Sequence, residues 1–123
     1  MSSTPAEDGF YMPADWGPHE RCWMAWPSRV GAWREAMDQA CLATAALARA
    51  IAKYEPVNML VPGDLIPIAR LQLGSLITIW EAELDDSWSR DTAPNFLVNG
   101  EGGLAGAVFD FNAWGNKFRD YGR

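Results

Sequence analysis

The chain has 123 residues, 49% of them hydrophobic and 21% charged, a globular composition that excludes a disordered tail or a low-complexity linker. Sixteen acidic residues oppose ten basic ones, for a net charge of −6. That balance argues against a nucleic-acid binder, which needs a basic face, and fits a small cationic ligand.

The length suits one domain or one piece of a larger one. Residues 1–8 have neither a basic stretch nor an apolar core, so no secretory leader is expected. The longest largely apolar run, residues 40–48, is cut by Arg49 and is too short to cross a bilayer. Cys22 and Cys41 form no C-x-x-C pair, so neither a disulfide framework nor a zinc site is expected. Both have apolar neighbours, as buried free thiols do. The simplest location is a reducing cytoplasm, with no membrane partner.

Residues 1–20 read as an irregular lead-in, because Pro5, Gly9, Pro13, Gly17 and Pro18 recur too often for a helix. His19, the single histidine, lies between Pro18 and Glu20 and is expected to make a structural hydrogen bond. With no second His and no Cys nucleophile beside it, no triad can be drawn. Residues 22–26 are a short apolar run stopped by Pro27 and predict a buried strand. Residues 31–53 predict one continuous helix. Trp33, Met37, Ala40, Thr44, Leu47 and Ile51 recur at spacings of four and three, giving an apolar stripe. Arg34 and Asp38 can pair at i,i+4, and the many alanines predict close packing on a sheet.

Pro56 breaks the chain, and residues 57–61 predict a second strand turned by Pro62-Gly63. Asp64 is the expected N-cap of a short helix to Leu73, with Pro67 in its first turn and Gly74 as the C-cap. Residues 76–80 are apolar almost throughout and predict a third strand buried on both faces. This alternation predicts an α/β layer with parallel or mixed pairing. Residues 81–91 then form an acidic, aromatic-bearing loop. Residues 95–98 and 105–111 predict a hairpin around Asn99-Gly100-Glu101-Gly102-Gly103. That glycine-rich turn is no phosphate loop, since no Lys-Ser or Lys-Thr follows. The chain ends on Phe111 to Phe118 and a polar tail.

The chemistry concentrates in the loop after the third strand. Residues 81–91 hold five acids, one Arg and one of the seven tryptophans. Ligands of open α/β sheets bind outside the carboxyl ends of strands, where this loop starts. A carboxylate accepts two parallel N–H bonds from a guanidinium, and an indole face attracts the same delocalised cation. Asp91, three residues after Trp88, therefore makes a guanidinium seat. Other readings remain: a solvated acidic turn with Trp88 as a core plug, or a glycosidase carboxylate pair at Asp85 and Asp91 with tryptophans as sugar platforms. A calcium loop lacks its D-x-[DN]-x-[DN]-G frame.

Three blocks resemble a known family. Gly9-Phe10-Tyr11-Met12-Pro13-Ala14-Asp15-Trp16, Pro18-His19-Glu20 and Trp23-Met24-Ala25-Trp26-Pro27 resemble the opening of agmatine deiminases and the related bacterial (Porphyromonas-type) peptidylarginine deiminases. Asp85-Asp86-Ser87-Trp88-Ser89-Arg90-Asp91-Thr92-Ala93-Pro94 is similar to the family's first active-site motif. Phe111-Asn112-Ala113-Trp114-Gly115 resembles a third block. The resemblance implies a five-bladed α/β propeller of guanidino-group modifying enzymes, with residues 1–123 as the N-terminal portion of one catalytic domain, truncated at its C-terminus: roughly the first blade and the start of the next.

The implied reaction is hydrolysis at a guanidinium carbon. A Cys thiolate attacks, ammonia leaves, and water resolves the thiouronium. A His moves protons and two Asp residues hold the guanidinium, with no metal or organic cofactor. With agmatine the product is N-carbamoylputrescine, on the way to putrescine. By position, Asp91 matches the first guanidinium-binding Asp and Trp88 a tryptophan lining the substrate slot. Asp85 or Asp86 would face the distal ammonium, Arg90 would brace the loop by pairing with an acid, and Asn112 and Trp114 would be structural. Cys22, Cys41 and His19 match neither the family nucleophile nor its His, so this chain by itself is expected to be inactive. Ala93, Asn95 and Asn116 stand where Gly, Thr and Gly are usual. Peptidylarginine deimination and a degenerate, non-catalytic fragment are the alternatives. The intact enzyme leaves room for a homo-oligomer.

Overall fold

The strand–helix alternation condenses into a parallel sheet with helical crossovers. The computed structural model describes residues 3–117. In it β1 (Cys22–Ala25), β2 (Val57–Val61) and β3 (Thr78–Glu81) form one sheet in the order β1-β2-β3, all parallel. In register, Met24 faces Met59 and Met59 faces Ile79. Parallel neighbours need long crossovers. The chain supplies α1 (Val30–Trp33) and α2 (Met37–Ile51) for the first, and α3 (Ile66–Leu73) for the second. The Trp26 N–H still reaches the Leu60 carbonyl at 2.9 Å; Pro27 has no N–H to continue the ladder.

Side chains alternate along a strand, so Val57, Met59 and Val61 of β2 share one face. They join Trp26, Ile77, Cys41, Ala45 and Ala48 of α2, and Ala69 and Leu73 of α3 in a single buried cluster. The alanines bring α2 close to the sheet, as their abundance suggested. The other face carries Trp23 and Trp80, whose ring centroids lie 6.2 Å apart.

The expected continuous helix over 31–53 is two helices. Arg34 adopts φ 47°, ψ −123°, which ends α1 after one turn; a 3-10 turn over Arg34–Ala36 leads into α2. Arg34 and Asp38 therefore share no helix face and make no ion pair among the described residues. The buried stripe of α2 is Ala40, Cys41, Ala45 and Ala48, whereas Leu47 is 55% exposed. Close approach to the sheet selects small side chains at the centre of α2, with Met37 and Ile51 packed against the core at its two ends.

The third strand is likewise not buried on both faces. α2 and α3 cover the Met59 face of the sheet, so Trp80 on the other face is exposed, as is Leu76 ahead of the strand, and Ile77 alone of residues 76–80 is fully buried. Asp64 does not cap α3; a 3-10 turn over Gly63–Leu65 leads into it with no side-chain cap. The other end matches expectation. Gly74 takes φ 76°, ψ −169°, a region essentially reserved for glycine. Arg70 Nη1 donates to the carbonyls of Gly74 at 2.9 Å and Ile77 at 2.8 Å.

The hairpin forms from β4 (Asn95–Val98) and β5 (Leu104–Ala107), antiparallel, with the return strand ending short of residue 111. Asn99 Oδ1 closes its turn, accepting from the Gly103 N–H at 2.6 Å and the Glu101 N–H at 3.0 Å. The lead-in joins this hairpin, because Tyr11 and Val98 exchange two backbone hydrogen bonds of 2.9 Å. Farther on, Asn112 Oδ1 accepts from the Gly115 N–H at 2.9 Å, and Phe111 meets Trp114 edge-on at 5.0 Å. Phe118 and the polar tail lie outside the described residues. No described helix is long and apolar enough to cross a membrane.

Candidate functional site

The motif loop leaves the carboxyl end of β3 and, contrary to the expected loop throughout, winds into a helical turn, α4 (Ser89–Thr92). Trp88 organises this turn. Its carbonyl accepts the N–H of Asp91 at 3.0 Å, the N–H of Thr92 at 3.3 Å and the Thr92 hydroxyl at 3.2 Å. Trp88 and Asp91 thus stand on one turn, and both are exposed. Among the described residues the Asp91 carboxylate has no hydrogen-bond or ion-pair partner. Its acceptor capacity is unspent, as a seat for a donor-rich cation requires.

The two preceding acids differ. Asp86 is 6% exposed, and its Oδ1 accepts from the Ser87 N–H at 2.6 Å and the Ser87 hydroxyl at 3.5 Å. Asp85 is exposed, and its carbonyl accepts from Arg29 Nη1 at 3.5 Å. Of the four singled-out residues, Asp91, Trp88 and Asp85 reach solvent and Asp86 is buried.

Trp88, with Ser87 and Ser89, forms one wall of a cleft of about 250 Å³; Met24, Ala25, Trp33, Thr44 and Leu47 complete it. Of the stripe expected to face the core, Ala40 is buried and Met37 and Ile51 pack against the core, whereas Trp33, Thr44 and Leu47 line this cleft. The break at Arg34, which turns Trp33 toward this cleft, has no local sequence signal.

Arg90 meets an acid, as expected, and the acid is in the lead-in: Nη2 lies 3.8 Å from Asp15 Oδ2, with both side chains exposed. His19 makes its structural contact to the same residue, with Nε2 3.0 Å from the Asp15 carbonyl, while Nδ1 lies 3.3 Å from Glu55 Oε2. The Asp15–Arg90 and His19–Glu55 contacts were not legible, because each joins residues far apart in sequence.

Both thiols are free. Burial pushes the Cys22 thiol up, with the Glu55 carboxylate adding to it; burial pushes Cys41 up too, helped by Asp38. A nucleophilic thiolate needs the opposite shift. Among the described residues no group of three or more His, Cys, Asp or Glu is placed to hold a metal ion.

The Porphyromonas-type peptidyl-arginine deiminase family model matches residues 11–123. A Legionella pneumophila (strain Paris) protein provisionally named an agmatine deiminase is 48% identical over 122 residues, 98% of this chain and 35% of its own. The agmatine deiminase of Stutzerimonas stutzeri (strain A1501) is 45% identical over 118 residues, 95% of this chain and 32% of its own. The solved agmatine deiminase of Enterococcus faecalis superposes with a TM-score of 0.81 at 37% identity, over 85% of this chain and 29% of that one. The chain spans about a third of the length of the curated relatives it matches. With an α/β architecture, a matching solved fold and a family match over nearly its whole length, the chain belongs to the Porphyromonas-type peptidyl-arginine deiminase family.

Proposed function

We propose that this chain carries the guanidinium seat of an agmatine deiminase. The reaction is agmatine plus water to N-carbamoylputrescine plus ammonia, a step of putrescine formation, in a cytoplasmic enzyme. The observation that carries the reading is the exposed carboxylate of Asp91, unpartnered among the described residues, on the same turn as the exposed Trp88 indole. Asp91 accepts the guanidinium N–H groups, each such charged hydrogen bond contributing roughly 1.5–3 kcal/mol. Trp88 lines the slot and offers its face to the cation. Asp85 and Asp86 stand near the distal ammonium; exposure favours Asp85.

In this reading residues 1–123 belong to one catalytic domain, a five-bladed α/β propeller, as its first blade and the start of the next. A homo-oligomer suits the intact enzyme. The attacking thiolate is neither Cys22 nor Cys41, whose thiols are held protonated. It attacks the guanidinium carbon, ammonia departs with a proton delivered by a His, and water cleaves the thiouronium to release the ureido product and the thiolate. The names of the 45–48% identical relatives favour agmatine as the substrate.

The test is a chimera in which this chain replaces the matching third of the Stutzerimonas stutzeri agmatine deiminase. Ammonia release from agmatine, abolished by Asp91→Asn, is the expected result. An inactive chimera, or one indifferent to Asp91→Asn, refutes the reading.

A further inference from the structure

Residues 11–19 run beside the candidate site and are held by discrete polar contacts more than by packing. At one end Tyr11 exchanges two 2.9 Å backbone hydrogen bonds with Val98 of β4. In the middle the Asp15 carboxylate meets Arg90 Nη2 at 3.8 Å. At the other end His19 ties the Asp15 carbonyl, at 3.0 Å, to Glu55 Oε2, at 3.3 Å, just before β2. Tyr11, Met12 and Trp16 are exposed, and a cleft of about 590 Å³ lies between this segment, Arg90 and Phe96. Little apolar burial is therefore available to hold the segment in place. Arg90 immediately precedes Asp91 within the four residues of α4, so a displacement of Arg90 carries the Asp91 backbone with it.

We infer that Asp15 is a positioning residue: acting through Arg90, it fixes the orientation of α4 and so directs the Asp91 carboxylate toward a guanidinium. This rests on the reading of Asp91 as the guanidinium acceptor. Tyr11 and His19 anchor the two ends of the strap, and Asp15 ties its middle to the site. The pair is exposed, so it adds little to overall stability. Its effect is local, because a single helical turn is unstable in isolation. Without Asp15, α4 samples more orientations, and a smaller fraction of molecules presents Asp91 correctly. Ligand binding weakens while the chemical step is untouched, a change in KM and not in kcat.

Amide hydrogen exchange on the 123-residue chain reads the strap without any turnover. Asp15→Asn should speed exchange at residues 89–93 by up to about fivefold, the ceiling for an exposed ion pair, with α2 unchanged. Asp15→Glu should keep wild-type rates. The charge-swapped double variant, Asp15→Arg with Arg90→Asp, should restore them. Equal exchange in Asp15→Asn and wild type, or a swap that restores nothing, overturns the inference. In the chimera Asp15→Asn should raise the KM for agmatine at constant kcat; an unchanged KM also overturns it. Failure of the functional reading looks different: the unmutated chimera releases no ammonia, or Asp91→Asn leaves turnover intact, whatever the exchange rates.

Discussion

The Asp91 amide donates to the Trp88 carbonyl at 3.0 Å, so one hydrogen bond of α4 couples a carboxylate to an indole. Backbone geometry, not side-chain packing, sets their spacing. Replacing the Asp91 carboxylate by an amide therefore leaves the turn intact and removes the charge. Asp91→Asn in the chimera is expected to lower kcat/KM by at least about tenfold, from the roughly 1.5–3 kcal/mol of one charged hydrogen bond, with an unchanged circular dichroism spectrum. Wild-type kinetics would remove Asp91 from the site.

Trp88 contributes through its ring, because its turn-forming carbonyl survives substitution. An exposed cation–π contact contributes about 0.5–1 kcal/mol. Trp88→Ala should therefore raise the KM for agmatine about two- to fivefold, and Trp88→Phe should recover part of that. Steady-state kinetics on both variants decides it; identical constants would assign the ring to the cleft wall alone.

Much of this was legible in the sequence. Pro27, Pro56 and Pro62 punctuate the strands, and β1, β2 and the hairpin fall where apolar runs and turn residues put them. The motif singles out Trp88 and Asp91, and α4 places both on one turn. The misplaced features have one cause, long-range packing. The stripe on 31–53 counted Trp33, Thr44 and Leu47 as core, but the sheet is met at the centre of α2 by Cys41 and its alanines. The break at Arg34 has no glycine or proline to announce it. The exposure of Trp80 follows from its place on the sheet face opposite α2 and α3, which residues 76–80 do not encode. The Asp15–Arg90 pair joins distant segments, so no local spacing could supply it.

The buried cluster around β2 bears on the idea of a fragment without a stable fold. Met59 and Ala45 are fully buried, as is Ala48, between the sheet and α2. A core closed on one face of a sheet predicts a cooperative melt of the 123-residue chain. Met59→Ala leaves a cavity and should cost about 2–5 kcal/mol, read as a lower denaturant midpoint. A non-cooperative wild-type melt, or a midpoint unmoved by Met59→Ala, would refute this core.

The thiols give stability a pH dependence of known sign. Burial first, then Glu55 for Cys22 and Asp38 for Cys41, raises each folded-state pKa above the ordinary 9.0. A raised folded value means that the unfolded thiol ionises first. Stability is thus complete below about pH 9 and falls as pH rises through the folded-state values. Denaturant midpoints between neutral pH and about pH 10 should decline, and Cys22→Ala with Cys41→Ala should flatten that decline. A parallel decline in the double variant would exclude the thiols as its source.

Substrate choice turns on the far end of the ligand. Agmatine ends in an ammonium, whereas a peptidyl-arginine ends in neutral backbone amides that also need room. Asp85 is exposed near the start of the motif turn, and a carboxylate there favours the ammonium by charge. The chimera should hydrolyse agmatine with a higher kcat/KM than a blocked arginine peptide. Asp85→Asn should narrow the gap by raising the agmatine KM about two- to fivefold, the scale of an exposed ion pair, while leaving the peptide unaffected. Equal loss on both substrates would place Asp85 in the scaffold of the turn. A preference for the peptide would make peptidyl-arginine the substrate class and agmatine the minor one.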